Sequence, residues 1–123
     1  AKAITVEAVV KRDEDRNYYG HDGGHVVNMG GGWDNNGFSL FVYNECTRIE
    51  LQNTSRHQKA ILDNQAPPKD KWTHLAFSWS LKSGTIKFYI NGVLQANTGK
   101  FTVPIGVPNQ HLFIGLNQTQ GFP

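Results

Sequence analysis

Cysteine, methionine and long apolar runs are scarce in this chain of 123 residues. It has one methionine and one cysteine, Cys46. A single cysteine excludes an intrachain disulfide framework and a zinc site built from cysteines, and it leaves three alternatives open. The thiol is buried as a small hydrophobic group, or is accessible, or links to another chain. No stretch approaches the roughly 18 apolar residues that cross a bilayer, so we predict no membrane span.

Charge is also scarce, and it is nearly balanced. Charged residues make up 18% of the chain and the net charge is +2. The basic residues are scattered, so the sequence indicates no nucleic-acid partner. With 13 glycines and 38% hydrophobic residues, the composition is typical of a loop-rich, all-β globule. The length fits one domain.

Signatures of catalysis are missing as well. Glycoside hydrolases act through two carboxylates roughly 5–10 Å apart. The E-x-D-x-x-E strand of laminarinase-type hydrolases is absent, and so is the G-x-S-x-G nucleophile elbow. The main acidic cluster, Asp13–Asp15, lies between two arginines, which is typical of a solvated turn. We therefore predict that the protein is not an enzyme.

Apolar residues recur at every second position in six segments, and no window keeps a helical period. Each segment predicts a strand with one face on a core. Several short strands at regular spacing favour a sandwich or a barrel. The residues predicted to face the core are every second residue from Ile4 to Val10, Phe38 to Val42, Ile49 to Leu51, Leu75 to Trp79, Ile86 to Ile90, and Leu112 to Leu116.

Turn residues separate the later strands. Leu81-Lys82-Ser83-Gly84 predicts a turn between two strong strands. Asn91-Gly92 predicts a type I′ hairpin, because both residues tolerate a positive φ angle.

Two central motifs resemble those of laminin-G-like, concanavalin A-like jelly-roll domains. Lys71–Ala76 is similar to the K-W-x-H-V-A strand of these domains, and Tyr89–Gly92 is similar to their Y-x-N-G hairpin. Three further segments follow the family pattern in order: Ile4–Lys11, Asn36–Leu40 and Leu112–Gly115. The resemblance implies an all-β fold, a two-sheet antiparallel jelly-roll sandwich in which residues 1–123 form a single domain. We expect Trp72 to pack in its core.

The resemblance also has gaps at both ends. Members of the family usually carry one more strand before the first segment and a G-x-I-D-E-V-R strand after the last, and this sequence shows neither. We expect either a trimmed domain or strands supplied by another protein chain or a second copy. Because an unpaired strand edge invites aggregation, we predict a partner or a cover at that edge.

A tryptophan in a glycine-rich segment, Gly30–Phe38, suggests a binding loop. A sugar site needs an exposed aromatic plate flanked by amides and carboxylates. Trp33 with Asp34, Asn35 and Asn36 has that composition. A second loop that we expect to contribute contains Tyr18, Tyr19, His21 and Asp22. The alternative is structural: Trp33 folds back over one end of the sandwich.

Metal binding is a further hypothesis for the same loops. Calcium binds several oxygen ligands, which Asp34 and Asn36 supply. The resemblance implies calcium as the cofactor, although the same residues suit a tight turn. His21 and His25 have the i, i+4 spacing of a helical metal site, but the intervening glycines argue against a helix and favour a polar loop.

These observations and the resemblance predict a non-catalytic carbohydrate-binding module or lectin, placed outside the cell or on its surface, with a glycan or polysaccharide as partner. The alternative is a protein-interaction, adhesion or assembly module of a larger extracellular protein. The sequence does not specify which sugar is bound.

Overall fold

The fold is a sandwich of two antiparallel sheets, which confirms the predicted all-β jelly roll. The computed structural model describes residues 2–12, 23–30, 36–43, 46–109 and 111–115. The first sheet has the order β1-β6-β7-β8, with β9 also pairing with β7. Its strands are β1 (Ala3–Lys11), β6 (Trp72–Ser80), β7 (Thr85–Ile90), β8 (Val93–Leu94) and β9 (Gly99–Lys100).

The second sheet has the order β10-β2-β3-β4-β5. A single 3₁₀ turn, Thr54–Arg56, joins β4 to β5. Within the described ranges no helix has the length and apolar character required to cross a bilayer. The strands are β2 (Gly23–Gly30), β3 (Asn36–Tyr43), β4 (Cys46–Asn53), β5 (Gln58–Gln65) and β10 (Phe113–Ile114).

The core lies between the sheets and contains inward residues that the alternation pattern predicts on β3, β4, β6 and β7, together with Leu62, Phe101 and Ile105, which the pattern did not predict. On β6 the buried positions are every second residue from Thr73 to Trp79. The Trp79 indole Nε1–H donates to the carbonyl of Phe101 at 2.8 Å, and the two rings meet edge to face at 5.6 Å. Burial of such large rings supplies most of the stabilisation of a small sandwich. The other fully buried apolar side chains are Leu40, Ile49, Leu51, Leu75, Phe77, Ile86 and Phe88.

The predicted Asn91-Gly92 hairpin is confirmed. Both residues have positive φ angles, 49° and 80°, and the flanking Ile90 and Val93 are paired. The Asn91 side chain also accepts a hydrogen bond from the His74 backbone N–H at 2.9 Å. The turn therefore ties the β7–β8 hairpin to the central strand β6.

The prediction that Trp72 packs in the core is wrong. Trp72 opens β6 opposite Lys11 and is 71% exposed, while its neighbour Thr73 points into the core. The reason is the two-residue period of a strand, which sends Thr73, Leu75 and Trp79 inward and Trp72 outward.

The last predicted strand is also only partly right. The structure has a two-residue β10, and the supposedly inward residues are exposed: Leu112 at 53% and Ile114 at 80%. Ile114 pairs with Val27, whose side chain packs against the core, so Ile114 lies on the predicted face of its strand. It stays exposed because β10 lies at the margin of the second sheet.

Candidate functional site

The two predicted glycan loops lie almost wholly outside the described residues. The first falls between Arg12 and Gly23, and the second between Gly30 and Asn36. Of the predicted site, the structure describes Asn36. The other members, for which the prediction stands untested, are Tyr18, Tyr19, His21, Asp22, Trp33, Asp34 and Asn35.

Asn36 opens β3 in a polar cluster at one end of the sandwich. Its Oδ1 accepts a hydrogen bond from the Thr54 backbone N–H at 3.0 Å, and it pairs with Asn53 across the strands. Gly106 lies against the Asn36 amide so closely that a Cβ there would overlap it. Asn53 in turn donates to the Pro104 carbonyl at 2.7 Å. The Asn36 side chain thus already helps to close this end of the fold.

The calcium hypothesis gains no ligand set from the described residues. Asn36 offers one amide oxygen, which already accepts a hydrogen bond from Thr54. The second proposed ligand, Asp34, lies outside the described residues. Within the described ranges no three His, Cys, Asp or Glu side chains gather as a metal site would require. Calcium therefore remains a prediction from the sequence.

The anchors of the two loops lie at opposite ends of one strand. Gly23 and Gly30 are the first and last residues of the eight-residue β2. At about 3.3 Å per residue, they are separated by roughly 23 Å. The loops are therefore attached at the two ends of the surface that β2 shares with β3 and β4.

That surface, the outer face of the second sheet, is built from cross-strand rows. Residues with side chains pointing away from the core pair directly with one another, as the register shows. The central row extends onto β10 through the pair Phe113–Asn28. The three rows are His25, Phe41, Arg48 and Asp63; Asn28, Ser39, Glu50 and Ile61; and Gly30, Gly37, Gln52 and Lys59.

Polar groups on this face are buried, although they point away from the core. Ser39 is 2% exposed and Gln52 6%, and Asn28 and Glu50 are buried beside them. Within the described ranges, Ser39 Oγ and Gln52 Oε1 have no hydrogen-bond partner. A buried polar atom without a partner costs about 1–3 kcal/mol, and folds rarely tolerate it unless it has a use. These two atoms therefore mark the outer face as a candidate binding surface.

A charged and aromatic row borders these polar groups. Arg48 donates to both carboxylate oxygens of Asp63, from Nε at 2.6 Å and from Nη2 at 2.9 Å. The hydrogen bond to Asp63 raises the pKa of Arg48. The guanidinium also lies over the Phe41 ring at 6.0 Å, and the opposite neighbour His25 contacts that ring at 4.9 Å. The row therefore combines a buried Phe41 ring with partly exposed Arg48 and Asp63 side chains.

Burial sets the protonation of His25, which belongs to this row, and of Cys46, which lies next to it. It lowers the pKa of His25 to about 4, so the imidazole is neutral near pH 7. Cys46, half-buried at the start of β4, has its pKa raised, first by burial and then by the negative charge of Asp63. A protonated thiol is a poor nucleophile, so Cys46 behaves as a small packing residue on this face.

Sequence reasoning missed the outer face because its residues are distant in the chain. The signal that was present is Phe41, an aromatic residue at a position that alternation assigns to the solvent side. A second signal is the choice of Ser39 and Gln52 at outward positions where charged residues are usual. Neither signal identifies a site until the strand register brings the residues together.

Comparison with known proteins agrees with the fold. The CBM40 carbohydrate-binding module of the Ruminococcus gnavus IT-sialidase, solved with α2,6-sialyllactose bound, aligns with 98% of this chain and 67% of its own. The TM-score is 0.67 and the sequence identity 21%. At that identity the likeness establishes the architecture alone.

One curated human protein matches a shorter stretch. Adhesion G-protein coupled receptor D1 is 40% identical over 57 residues, which are 45% of this chain and 6% of the receptor. The chain thus corresponds to a small part of that receptor. The profile described as Concanavalin A-like lectin/glucanases superfamily, Laminin_G_3, matches residues 1–123. The chain belongs to this family, as the motifs around Trp72 and Asn91 indicated.

Proposed function

We propose that the protein is a non-catalytic carbohydrate-binding module that holds a glycan on the outer face of the second sheet. One observation carries the proposal: Ser39 Oγ and Gln52 Oε1 are buried on an outward face with no partner in the described ranges. Sugar hydroxyls both donate and accept, so one ring can satisfy both atoms. Membership of a lectin/glucanase superfamily and the likeness to a sialidase CBM40 support this function.

The predicted loops complete the proposed site. Their anchors flank the outer face at the two ends of β2. In this proposal Trp33 stacks on the apolar face of one sugar ring of an oligosaccharide, and the side chains of the Tyr18–Asp22 segment bind a second ring toward the other end of β2. The buried polar row then contacts the hydroxyls between them.

The charges on the face favour a neutral sugar. Recognition of an acidic sugar calls for a cation that can form a bidentate pair with the ligand's carboxylate. Arg48 already makes that pair with Asp63, and the Glu50 carboxylate adds a negative charge nearby. Lys59, the other cation in the three rows, cannot form a bidentate pair. We therefore propose a hydroxyl-rich neutral glycan, unlike the sialyllactose held by the CBM40 structure.

The Arg48–Asp63 pair also argues against catalysis on this face. Glu50 and Asp63 are carboxylates on one face and on adjacent strands, an arrangement that a glycosidase also uses. Both oxygens of Asp63, however, accept hydrogen bonds from Arg48, which holds the carboxylate away from the role of nucleophile or general base. We propose binding without hydrolysis, and no release of reducing ends from a bound polysaccharide is the expected result.

A glycan array, run with calcium and again with chelator, tests the function. Binding of neutral glycans above sialylated ones is expected, and the chelator lane decides whether calcium is needed. A folded protein that binds no glycan in either lane contradicts the proposal. We place the protein outside the cell, in line with the adhesion receptor that it resembles over 57 residues.

Variants of the unpartnered atoms locate the site. Ser39→Ala and Gln52→Met remove the polar atoms and keep most of the volume. Because Ser39 Oγ and Gln52 Oε1 have no partner within the described ranges, the free energy of unfolding should stay within about 1 kcal/mol or rise. Glycan affinity should fall about tenfold or more, as expected when a buried sugar hydroxyl loses its partner.

The matched control is Ser78→Ala, a serine on the outer face of the first sheet that pairs with Lys87. It should leave glycan affinity unchanged. Equal affinity in all three variants and the wild-type protein would show that the glycan does not bind the outer face of the second sheet.

A further inference from the structure

The outer face of the first sheet exposes several large apolar side chains. The strand register places the outward residues of β1, β6, β7 and β8 side by side on this face. Trp72 is 71% exposed, Val9 63% and Leu94 48%, and the half-buried Tyr89 lies directly opposite Leu94. Single exposed apolar residues are ordinary on a protein surface, whereas a group of them on one face marks a binding surface.

These four side chains lie in successive cross-strand rows of the face. Trp72 opens β6, Val9 lies opposite His74 one outward row further on, and Tyr89 and Leu94 lie in the following row. Because outward rows are about 7 Å apart along a strand, the group extends over about 14 Å. We call Val9, Trp72, Tyr89 and Leu94 the apolar area.

Four lysines lie at the end of the same sheet, on the other side of Tyr89 from Trp72. Lys87 is the next outward residue of β7, and Lys100 lies on β9, which pairs with β7. Lys82 lies in the turn between β6 and β7, and Lys2 comes just before β1, with its carbonyl bonded to the backbone of that turn. All four lysines are exposed. We call them the basic end.

Carboxylates among the described residues lie away from the basic end. Glu50 and Asp63 belong to the outer face of the second sheet, and Asp70 precedes β6 at the opposite end of the first. Glu7 lies on the outer face of the first sheet, where its carboxylate is 3.2 Å from Nε2 of His74, in the strand next to it. The basic end therefore has a positive charge that no carboxylate of the described ranges offsets locally.

We propose that the outer face of the first sheet docks on an anionic lipid bilayer, with the apolar area in the interfacial layer and the basic end against the headgroups. Tryptophan and tyrosine prefer the boundary between water and hydrocarbon, because their rings are apolar and carry a polar N–H or O–H. Each lysine near an anionic membrane raises the affinity about fivefold. Peripheral binding combines both contributions, and the face supplies both.

A protein partner suits this face less well than a bilayer does. The basic end consists of lysines, and lysine is depleted in protein interfaces whereas arginine is enriched. A lysine is a flexible point charge that reaches headgroups in many arrangements, and its aliphatic stem covers apolar surface. The face also extends over neighbouring strands of one sheet, on the opposite side of the sandwich from the proposed glycan face. The two surfaces can therefore be occupied together.

Co-sedimentation with lipid vesicles tests the proposal. The protein should bind vesicles of phosphatidylserine and phosphatidylcholine about tenfold or more tightly than vesicles of phosphatidylcholine alone, and added salt should weaken the binding. No binding to the mixed vesicles, or equal binding to both kinds, would overturn the proposal.

Trp72→Ala tests the apolar area. Because Trp72 is exposed, the variant should fold, and its affinity for the mixed vesicles should fall about tenfold or more, since a large ring is lost from the interfacial layer. The control is Val107→Ala, which removes an exposed apolar side chain from the loop that packs against Gly30 and Asn36 of the second sheet. It should bind as the wild type does. Wild-type affinity in Trp72→Ala would contradict docking through this face.

Lys87→Gln tests the basic end against the effect of net charge. Its affinity for the mixed vesicles should fall about fivefold. Arg56→Gln removes the same charge from the 3₁₀ turn of the second sheet and should change the affinity less than about twofold, because salt screens distant charges. Equal losses in the two variants would assign the binding to net charge and overturn the proposal.

Brominated phosphatidylcholine in the mixed vesicles distinguishes a bilayer from a soluble polyanion. Its bromine atoms quench the fluorescence of an indole ring that enters the lipid. The wild-type protein should be quenched more strongly than Trp72→Phe, because Trp72 is the ring that enters. Equal quenching of the two proteins, together with binding of dextran sulfate, would identify a soluble polyanion as the ligand and would overturn the proposal.

Discussion

Trp72 and Trp79 lie on the same strand in opposite surroundings. Trp79 is buried, and its indole N–H is bonded to the Phe101 carbonyl at 2.8 Å, whereas Trp72 is 71% exposed. We predicted that Trp72 belongs to the core because it begins an apolar strand and large aromatic rings at strand period are usually buried. Strand parity gives the correct answer, because it places the two rings on opposite faces of β6.

Alanine variants should separate the two tryptophans by their effect on stability. Trp79→Ala loses a large buried ring and a buried hydrogen bond, and it should reduce the free energy of unfolding by about 3–5 kcal/mol. Trp72→Ala should cost less than about 1 kcal/mol, as is usual at exposed positions. Urea denaturation followed by far-ultraviolet circular dichroism measures both. A Trp72→Ala loss comparable to that of Trp79→Ala would place Trp72 in the core after all.

His25 should make the stability depend on pH. Burial against Phe41 lowers its pKa to about 4, below the ordinary value of 6.5, so the unfolded chain binds the proton more readily between these values. The stability contributed by neutral His25 is full above pH 6.5 and is lost as the pH falls toward 4. The loss should reach up to about 3 kcal/mol.

Denaturation of the wild-type protein and of His25→Gln across pH 4 to 7 measures this contribution. The difference in stability between the two proteins should change with pH in that window, because glutamine does not titrate. Parallel curves for the two proteins would show that His25 is not held neutral by the fold.

At the scale of elements, the β7–β8 hairpin depends on backbone conformation more than on contacts. Gly92 has a φ of 80°, and a Cβ added there would meet nothing within 4 Å. Any penalty for a side chain at this position is therefore a backbone penalty.

Two replacements of Gly92 should differ for that reason. Gly92→Val should destabilise the protein by about 1–2 kcal/mol, the cost of a left-handed conformation for a bulky residue. Gly92→Asn should lose markedly less, since asparagine tolerates positive φ. Thermal or urea unfolding of the two variants measures the difference, and equal losses would rule out the conformational explanation.

Several strands were predictable from local sequence, whereas β2 and β5, which lack a clear alternation of apolar residues, were not. Ile4 to Val10, Ile49 and Leu51, and Leu75 to Trp79 point inward as their alternation indicated. The exposure of Leu112 and Ile114 was not predictable, because alternation identifies which face of a strand a residue lies on but not whether another element covers that face. That depends on the arrangement of the sheets, which leaves β10 at an open margin.

The candidate site required information that no local pattern contains. Asn28, Ser39 and Glu50 become neighbours through the register of three strands, and a shift of one residue would turn each of them into the core. The sequence did indicate a polar, aromatic loop site around Trp33. It gave no reason to look at the sheet surface between the loop anchors.

At the scale of the whole molecule, the outer face of the second sheet has a distinct physical character. It is polar and holds buried atoms that lack partners among the described residues, which suits hydroxyl groups.

Our proposal for the outer face of the second sheet is that it binds a neutral glycan. Its most direct test is a map of backbone amide chemical shifts on titration with the strongest neutral glycan from the array. We predict shifts concentrated at Ser39, Glu50 and Gln52, with Thr5, Ser78 and Lys87 on the outer face of the first sheet unchanged. Saturating shifts at the first sheet, with Ser39 and Gln52 unmoved, would contradict the account.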